Sequence, residues 1–170
     1  MQDSPLSSVA PTSSAASAAS AARASSAAPA SSAVPASGFA PASPFALDNK
    51  QVIVTGAGQG IGRAIATTIV ELGGRVIAVD LQAEGLAALR ADLGADRCVT
   101  VAGSVADPAT ATRAVEAGEA AFGGVNGLVN NAGIVRAAMI DKMALEAWQQ
   151  VIDVHLSGSF YCLQALGRHL

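Results

Sequence analysis

The sequence predicts an α/β protein built on a doubly wound parallel sheet, and three observations carry that prediction. From residue 47 onward, short β-branched runs alternate with amphipathic runs at helical spacing, the pattern of βαβ units. The β-branched runs lack strict apolar and polar alternation, as strands covered on both faces do. A glycine-rich stretch lies between the first such run and the first helical run, where the chain must turn sharply from strand to helix.

The elements follow in order. Strands are expected at residues 52–54, 76–79, 98–101 and 128–129, runs too short to be helices. The first helix opens near Gly60 with Ile61, Ile65, Ile69 and Leu72 on one stripe, and ends at Gly73 and Gly74, where a left-handed cap needs no Cβ. The second places Leu86, Leu89 and Leu93 on one side and stops at Gly94. The third starts from Asp107 as N-cap with Pro108 after it, and runs to about Phe122. A loop follows Asn130, and then a helical region runs from about Leu145 to the end. Its apolar positions are Trp148, Val151, Ile152, Leu156, Leu163 and Leu166, with Gly158 as a point of kinking or division. Right-handed crossovers put the four strands in the order 3-2-1-4, half of a doubly wound sheet. The strand at 128–129 is then left as an open edge unless another chain or the final helix covers it.

Residues 1–46 differ in kind and divide from a folded part at 47–170. They are almost entirely Ala, Ser, Pro and Thr, with Asp3 and Arg23 as their only charges and six of the seven prolines. Such a segment reads as a disordered tail, because prolines remove helix donors and few large apolar groups offset the entropy of ordering. A secretory signal is excluded by the serines that interrupt each alanine run. A transit peptide fits the serine content but not the lone Arg23, so a low-complexity extension of a cytoplasmic protein is the preferred reading and an organellar address the alternative. No stretch approaches a membrane span. The net charge of -3 comes without a basic stripe, which argues against nucleic acid as a partner. Cys98 and Cys162 have neither metal-ligand spacing nor a disulfide framework, so no metal site is expected and both read as structural thiols in a reducing compartment.

The chemistry concentrates at Thr55-Gly56-Ala57-Gly58-Gln59-Gly60-Ile61-Gly62. Gly56 permits the turn, Gly60 lets backbone approach a pyrophosphate, and Gly62 allows close packing of helix and sheet. The helix that opens there offers unpaired N–H groups and a positive dipole end to phosphates. Alone, the stretch is equally a tight turn without a ligand. A triphosphate-binding loop needs Gly-Lys-Ser/Thr after four intervening residues and is excluded by Ile61 at the glycine place and Arg63 at the hydroxyl place; the spacing is Gly-x-x-x-Gly-x-Gly, not Gly-x-Gly-x-x-Gly. Asp80 closes the second strand, 18 residues after Gly62, where a carboxylate accepts hydrogen bonds from ribose hydroxyls and repels a 2'-phosphate. Neither Gln59, Leu81 nor Gln82 supplies positive charge. NAD is therefore expected over NADP, against the alternative that Asp80 is a solvated strand-end acid.

Thr55-Gly-x-x-x-Gly-Ile-Gly62, Asp80, and Asn130-Asn131-Ala132-Gly133 after the fourth strand together resemble the short-chain dehydrogenase/reductase family, across about residues 47–170. The resemblance implies a Rossmann fold, with cofactor contacts from Gly56, Gln59, Gly60, Ile61, Gly62, Asp80, Leu81, Ser104, Val105, Asn131 and Gly133. Read from the residues alone, Asn130 and Asn131 are also an Asx turn at a strand end. The family usually has Asp where this chain has Ser104, so weaker adenine recognition is expected. His155 stands in the place of a family asparagine that helps hold a water in a proton relay. It is a candidate catalytic residue, with a packing histidine as the alternative. The family's catalytic serine and Tyr-x-x-x-Lys pair are expected to be missing from this chain, because its only tyrosine, Tyr161, has Ala165 four residues on. Tyr161 itself is expected to pack or cap a helix surface.

The implied function is NAD-dependent interconversion of a small-molecule alcohol and a ketone or aldehyde, with this chain holding the cofactor half. Two alternatives stand beside it: a catalytically inactive dinucleotide-binding or dimerising module, paired with a second copy through the last helix, and a truncated product that does not fold stably.

Overall fold

The structure, a computed structural model, describes residues 44–169. The tail expected at 1–46 lies outside these residues except for its last three positions. The described chain runs β1 (Gln51–Thr55), α1 (Gly60–Glu71), β2 (Arg75–Asp80), α2 (Ala83–Leu93), β3 (Cys98–Ala102), α3 (Pro108–Phe122) and β4 (Gly127–Val129), followed by α4 (Leu145–Ile152) and α5 (Gly158–Gly167). A single 3-10 turn, Ile140–Lys142, lies in the loop before α4, and a π-helical segment, Asp153–Ser157, joins α4 to α5.

All strand pairings are parallel and the order is β3-β2-β1-β4, as the crossover argument requires. Alternation along the strands divides the core between the two sheet faces. Val54, Val76, Ala78 and Cys98 meet Ala66 and Ile69 of α1 and Leu86 and Leu89 of α2. Ile53, Ile77, Val79 and Val101 meet Ala111, Ala114 and Val115 of α3 and Cys162, Ala165 and Leu166 of α5. Burial on both faces explains why these strands show no polar alternation.

Helix boundaries follow local chemistry. Gly73 (φ +93°) reverses the chain after α1, and its amide donates to Val70 O. The Asp107 side chain accepts from the Ala109 amide at 3.0 Å and Pro108 takes the first helical position of α3, where a missing N–H costs nothing. Leu47 joins the core beside α1, its amide bonded to Leu72 O at 2.7 Å.

Two expectations about apolar faces are corrected. In α1 the buried positions are Gly62, Ala66 and Ile69, and Ile61 is 74% exposed, so the buried stripe starts one residue later than the apolar one. In the C-terminal region, of the six apolar positions read from periodicity only Leu166 is buried, while Trp148, Leu156 and Leu163 are more than half exposed. The π-helical turn resets the helical register between α4 and α5, so one continuous stripe cannot describe both. Cys162 and Ala165 pack in its place. Gly158 does mark a division: α5 begins there, and the residue is buried where a Cβ would stand 2.9 Å from Val105 Cγ2.

Candidate cofactor-binding site

Parallel register places the carboxyl ends Thr55, Asp80, Ala102 and Val129 along one rim of the sheet. Ligands in open α/β sheets bind at that rim. A cleft of about 330 Å³ opens there between the glycine turn and the segments that follow β2, β3 and β4. Gly56, Gln59, Asp80, Leu81, Ser104, Val105, Asn131 and Gly133, named from sequence, all line it. Gly60, Ile61, Gly62 and His155 do not; they lie beside or behind the wall. A wider groove of about 640 Å³ lies along α2 and β3, but alanines and Arg90 dominate its lining. The convergent polar groups belong to the smaller cleft.

The glycine turn is held by specific bonds. Gly56 and Gly60 have φ of +67° and +54°, left-handed values that favour glycine. Gly60 also leaves open space where a Cβ would be, and α1 starts there with no side-chain cap and no acid in its first turn. That leaves a helix N-terminus suited to an anion. Gly62 has a different role from the one expected. Its missing side chain makes room for Gly56 O and the Asn131 amide, so it packs against the turn itself rather than against the sheet.

Asp80 faces the turn. Its Oδ2 accepts from the Gly58 amide and its Oδ1 from the Gln82 amide, each at 2.9 Å. It is the one charged residue lining the cleft among the described residues. Asn131 is similarly engaged: Nδ2 donates to Thr55 O at 3.0 Å and to Gly56 O at 3.3 Å. It braces the turn from the β4 side. Ser104 Oγ accepts from the Ala106 amide at 3.2 Å, and Ser104 O accepts from Asp107 N, so this residue shapes the turn into α3. His155 Nε2 lies 3.0 Å from Ile134 N and 2.9 Å from Ile134 O, directly behind Gly133.

Thr55 heads the glycine stretch in the sequence, yet sequence reasoning gives its hydroxyl no role. It is 1% exposed. Its Oγ1 accepts from the Asn131 and Ala132 amides, both at 3.0 Å, and donates to Val129 O at 3.3 Å. One hydroxyl thereby ties the end of β1 to the end of β4. A threonine that closes a strand just before a glycine turn was the available signal. The cleft also takes in Gln82, Gly103, Ala132, Ile134 and Val154, which no motif marks. Tyr161 packs half-buried against the α3 side of the core, its ring edge-on to Phe160. Burial pushes the Cys98 thiol up to about 11 and raises the Cys162 thiol as well, which keeps both protonated and inert at neutral pH.

A glycine turn at the carboxyl rim of a parallel sheet, with an acid closing the neighbouring strand, defines a nucleotide-binding α/β protein. The family model of the short chain dehydrogenases matches residues 50–170, and the chain belongs to that oxidoreductase family, whose members bind a nicotinamide dinucleotide. It is 44% identical over 126 residues to D-threitol dehydrogenase of Mycolicibacterium smegmatis, covering 73% of this chain and 48% of that protein. It is 39% identical over 121 residues to the 3-oxoacyl-[acyl-carrier-protein] reductase FabG of Escherichia coli, covering 71% and 49%. A crystal structure of a short-chain dehydrogenase/reductase, glucose/ribitol dehydrogenase, from Brucella melitensis superposes with a TM-score of 0.71 at 34% identity, covering 74% of this chain and 54% of that one. The chain spans about half the length of the curated relatives it matches.

Proposed function

We propose that this chain carries the NAD-binding half of an oxidoreductase that interconverts a small-molecule alcohol and a ketone or aldehyde. The supporting observation is Asp80: a lone carboxylate at the end of β2, lining the cleft and bonded to the glycine turn. A 2'-phosphate brought beside Asp80 meets a negative charge, and no cation lines the cleft there. Gly56, Gln59, Gly60, Ile61 and Gly62 would take the pyrophosphate side, Asp80, Leu81 and Asn131 the adenosine ribose, Ser104 and Val105 the adenine, and the Gly133 backbone would lie beside the cofactor. When bound, the cofactor supplies hydride exchange with the substrate carbon.

Proton transfer needs residues that these 170 positions do not hold, because the single tyrosine, Tyr161, lacks a lysine four residues on. The stretch binds the dinucleotide without turning it over. Two buried cysteines that are free thiols support a reducing compartment, the cytoplasm or, as the alternative, an organelle. No helix among the described residues is long and apolar enough to cross a membrane.

Calorimetric titration of the 170-residue chain tests the reading. NAD should bind at least about tenfold more tightly than NADP, a difference of about 1.4 kcal/mol. Equal or tighter binding of NADP overturns the preference, and binding of neither overturns the cofactor site.

A second reading, a dimerising module, is favoured by the exposed Leu145, Trp148, Leu156, Phe160 and Leu163 on the C-terminal helices. Sedimentation equilibrium decides it: a dimer at micromolar concentration supports pairing through these helices.

A further inference from the structure

We propose that His155 is a positioning residue that latches the cleft wall at Gly133 and Ile134, and that its single available ring nitrogen leaves this latch half made. The latch concerns the wall of the cleft and so deepens the NAD reading, on which its consequence for affinity rests.

The geometry is specific. Nε2 of His155 lies 3.0 Å from the Ile134 amide nitrogen and 2.9 Å from the Ile134 carbonyl oxygen. The amide needs an acceptor and the carbonyl needs a donor. An imidazole nitrogen carries either a lone pair or a proton, so His155 serves one of these groups only by leaving the other. The tautomer with the proton on Nδ1 holds the amide, and the tautomer with the proton on Nε2 holds the carbonyl.

One side of the exposed ring lies against Gly133 while its bonding is divided. A Cβ on Gly133 would stand 2.6 Å from Cε1 and 3.2 Å from Nε2 of His155, so the ring lies against space that only a glycine leaves open. On the other side, His155 belongs to the π-helical segment Asp153–Ser157. A wide turn of this kind redirects a side chain and loosens the ordinary helical carbonyl bonding. Ser159 Oγ donates to His155 O at 2.7 Å.

His155 does not line the cleft, while Gly133, Ile134 and Val154 do. It therefore acts on the site through the backbone it holds. A side-chain amide presents an acceptor and a donor together and can meet both Ile134 groups at once. Glutamine reaches about as far from the backbone as the imidazole Nε2; asparagine is shorter.

The test compares the 170-residue chain with its His155→Gln, His155→Asn, His155→Ala and Gly133→Ala forms. Amide hydrogen exchange at Ile134 is followed without cofactor, and NAD affinity by calorimetry. At least one amide variant should slow Ile134 exchange by about three- to tenfold, the gain of one additional hydrogen bond, and tighten NAD binding in proportion. His155→Ala should speed exchange by about tenfold, and Gly133→Ala, which displaces the ring, should do the same. Improvement with an amide and loss with alanine is a pattern that a merely space-filling histidine does not give. If neither amide slows exchange, or if alanine leaves it unchanged, the latch is wrong. If exchange responds as expected while NAD binds to none of the forms, the latch stands and the NAD reading fails.

Discussion

The first three strands with their two intervening helices and the C-terminal helices are both rich in apolar residues, and they use them differently. In the former, Val54, Ala57, Ala66, Val76, Ala78, Leu89 and Cys98 are buried against one another. In the latter, α4 and the π-helical segment contain no buried residue, and Leu145, Trp148, Leu156, Phe160 and Leu163 are 53% to 80% exposed. A βαβ unit brings its own cover, because the crossover that connects two parallel strands lays a helix on them. A helix at the end of the described chain has no such guarantee. Hydrophobic periodicity reports that a face is apolar and is silent on what meets it.

The largest effects should come from the self-covered region. Leu89 is fully buried between α2 and the sheet, and Leu89→Ala should cost about 3 kcal/mol, the usual range for an unfilled leucine site being about 2 to 5. Urea unfolding measures it. A cost below about 1 kcal/mol would show that this half is no better packed than the C-terminal helices and would erase the contrast.

Thr55→Val comes next. The change preserves shape and removes the hydroxyl that serves Asn131 N, Ala132 N and Val129 O, leaving two backbone donors short of a partner at a buried position. The expected loss is about 2 kcal/mol, read from the same urea curves. NAD binding should weaken together with stability, because the glycine turn and the β4 loop are joined there.

This residue also marks the limit of what was legible. Strand order, the three βα boundaries and most of the cleft could be read from the sequence, since each depends on local chemistry: Gly73 needs a left-handed φ, Asp107 needs a donor to cap, and Asp80 closes a strand. Ile134 and Val154 could not be read as site residues, and the partners of Thr55 could not be read from its place in the motif. Their roles are set by partners 21 to 77 positions away, or by contact with the cleft alone. Likewise Ile61 satisfies the α1 stripe in periodicity and is exposed in space, while its neighbour Gly62 is buried. The C-terminal stripe failed for a related reason: no composition signal announced the π-helical turn, and one wide turn rotates every later side chain.

Alkaline pH probes the buried core more gently. An unfolded thiol ionises near its ordinary value of 9.0, whereas Cys98 in the fold does so at about 11. Between these values the unfolded chain releases a proton that the folded chain retains, so stability falls as pH rises. At pH 10 Cys98 alone should account for about 1.4 kcal/mol of loss, and Cys162 acts in the same direction. Urea midpoints at pH 8 and pH 10, compared with those of Cys98→Ala, isolate the term. If the alanine form shows the same fall, other groups are responsible.

The smallest effect on the isolated fold is the one that tests the comparison most directly. Leu163 is 59% exposed and Trp148 53%, so Leu163→Ser and Trp148→Gln each remove apolar surface that the described chain leaves largely in water. In a monomer their cost should be within about 0.5 kcal/mol, the usual range for substitutions away from packed features. In a dimer paired through this face, the same substitutions should dissociate the chains in sedimentation equilibrium while leaving the dilute-solution urea midpoint unmoved. Loss of 2 kcal/mol or more in the dilute monomer, on the order of a core truncation, would mean that these side chains are covered within the chain. The two regions would then differ in sequence alone and not in how they are packed.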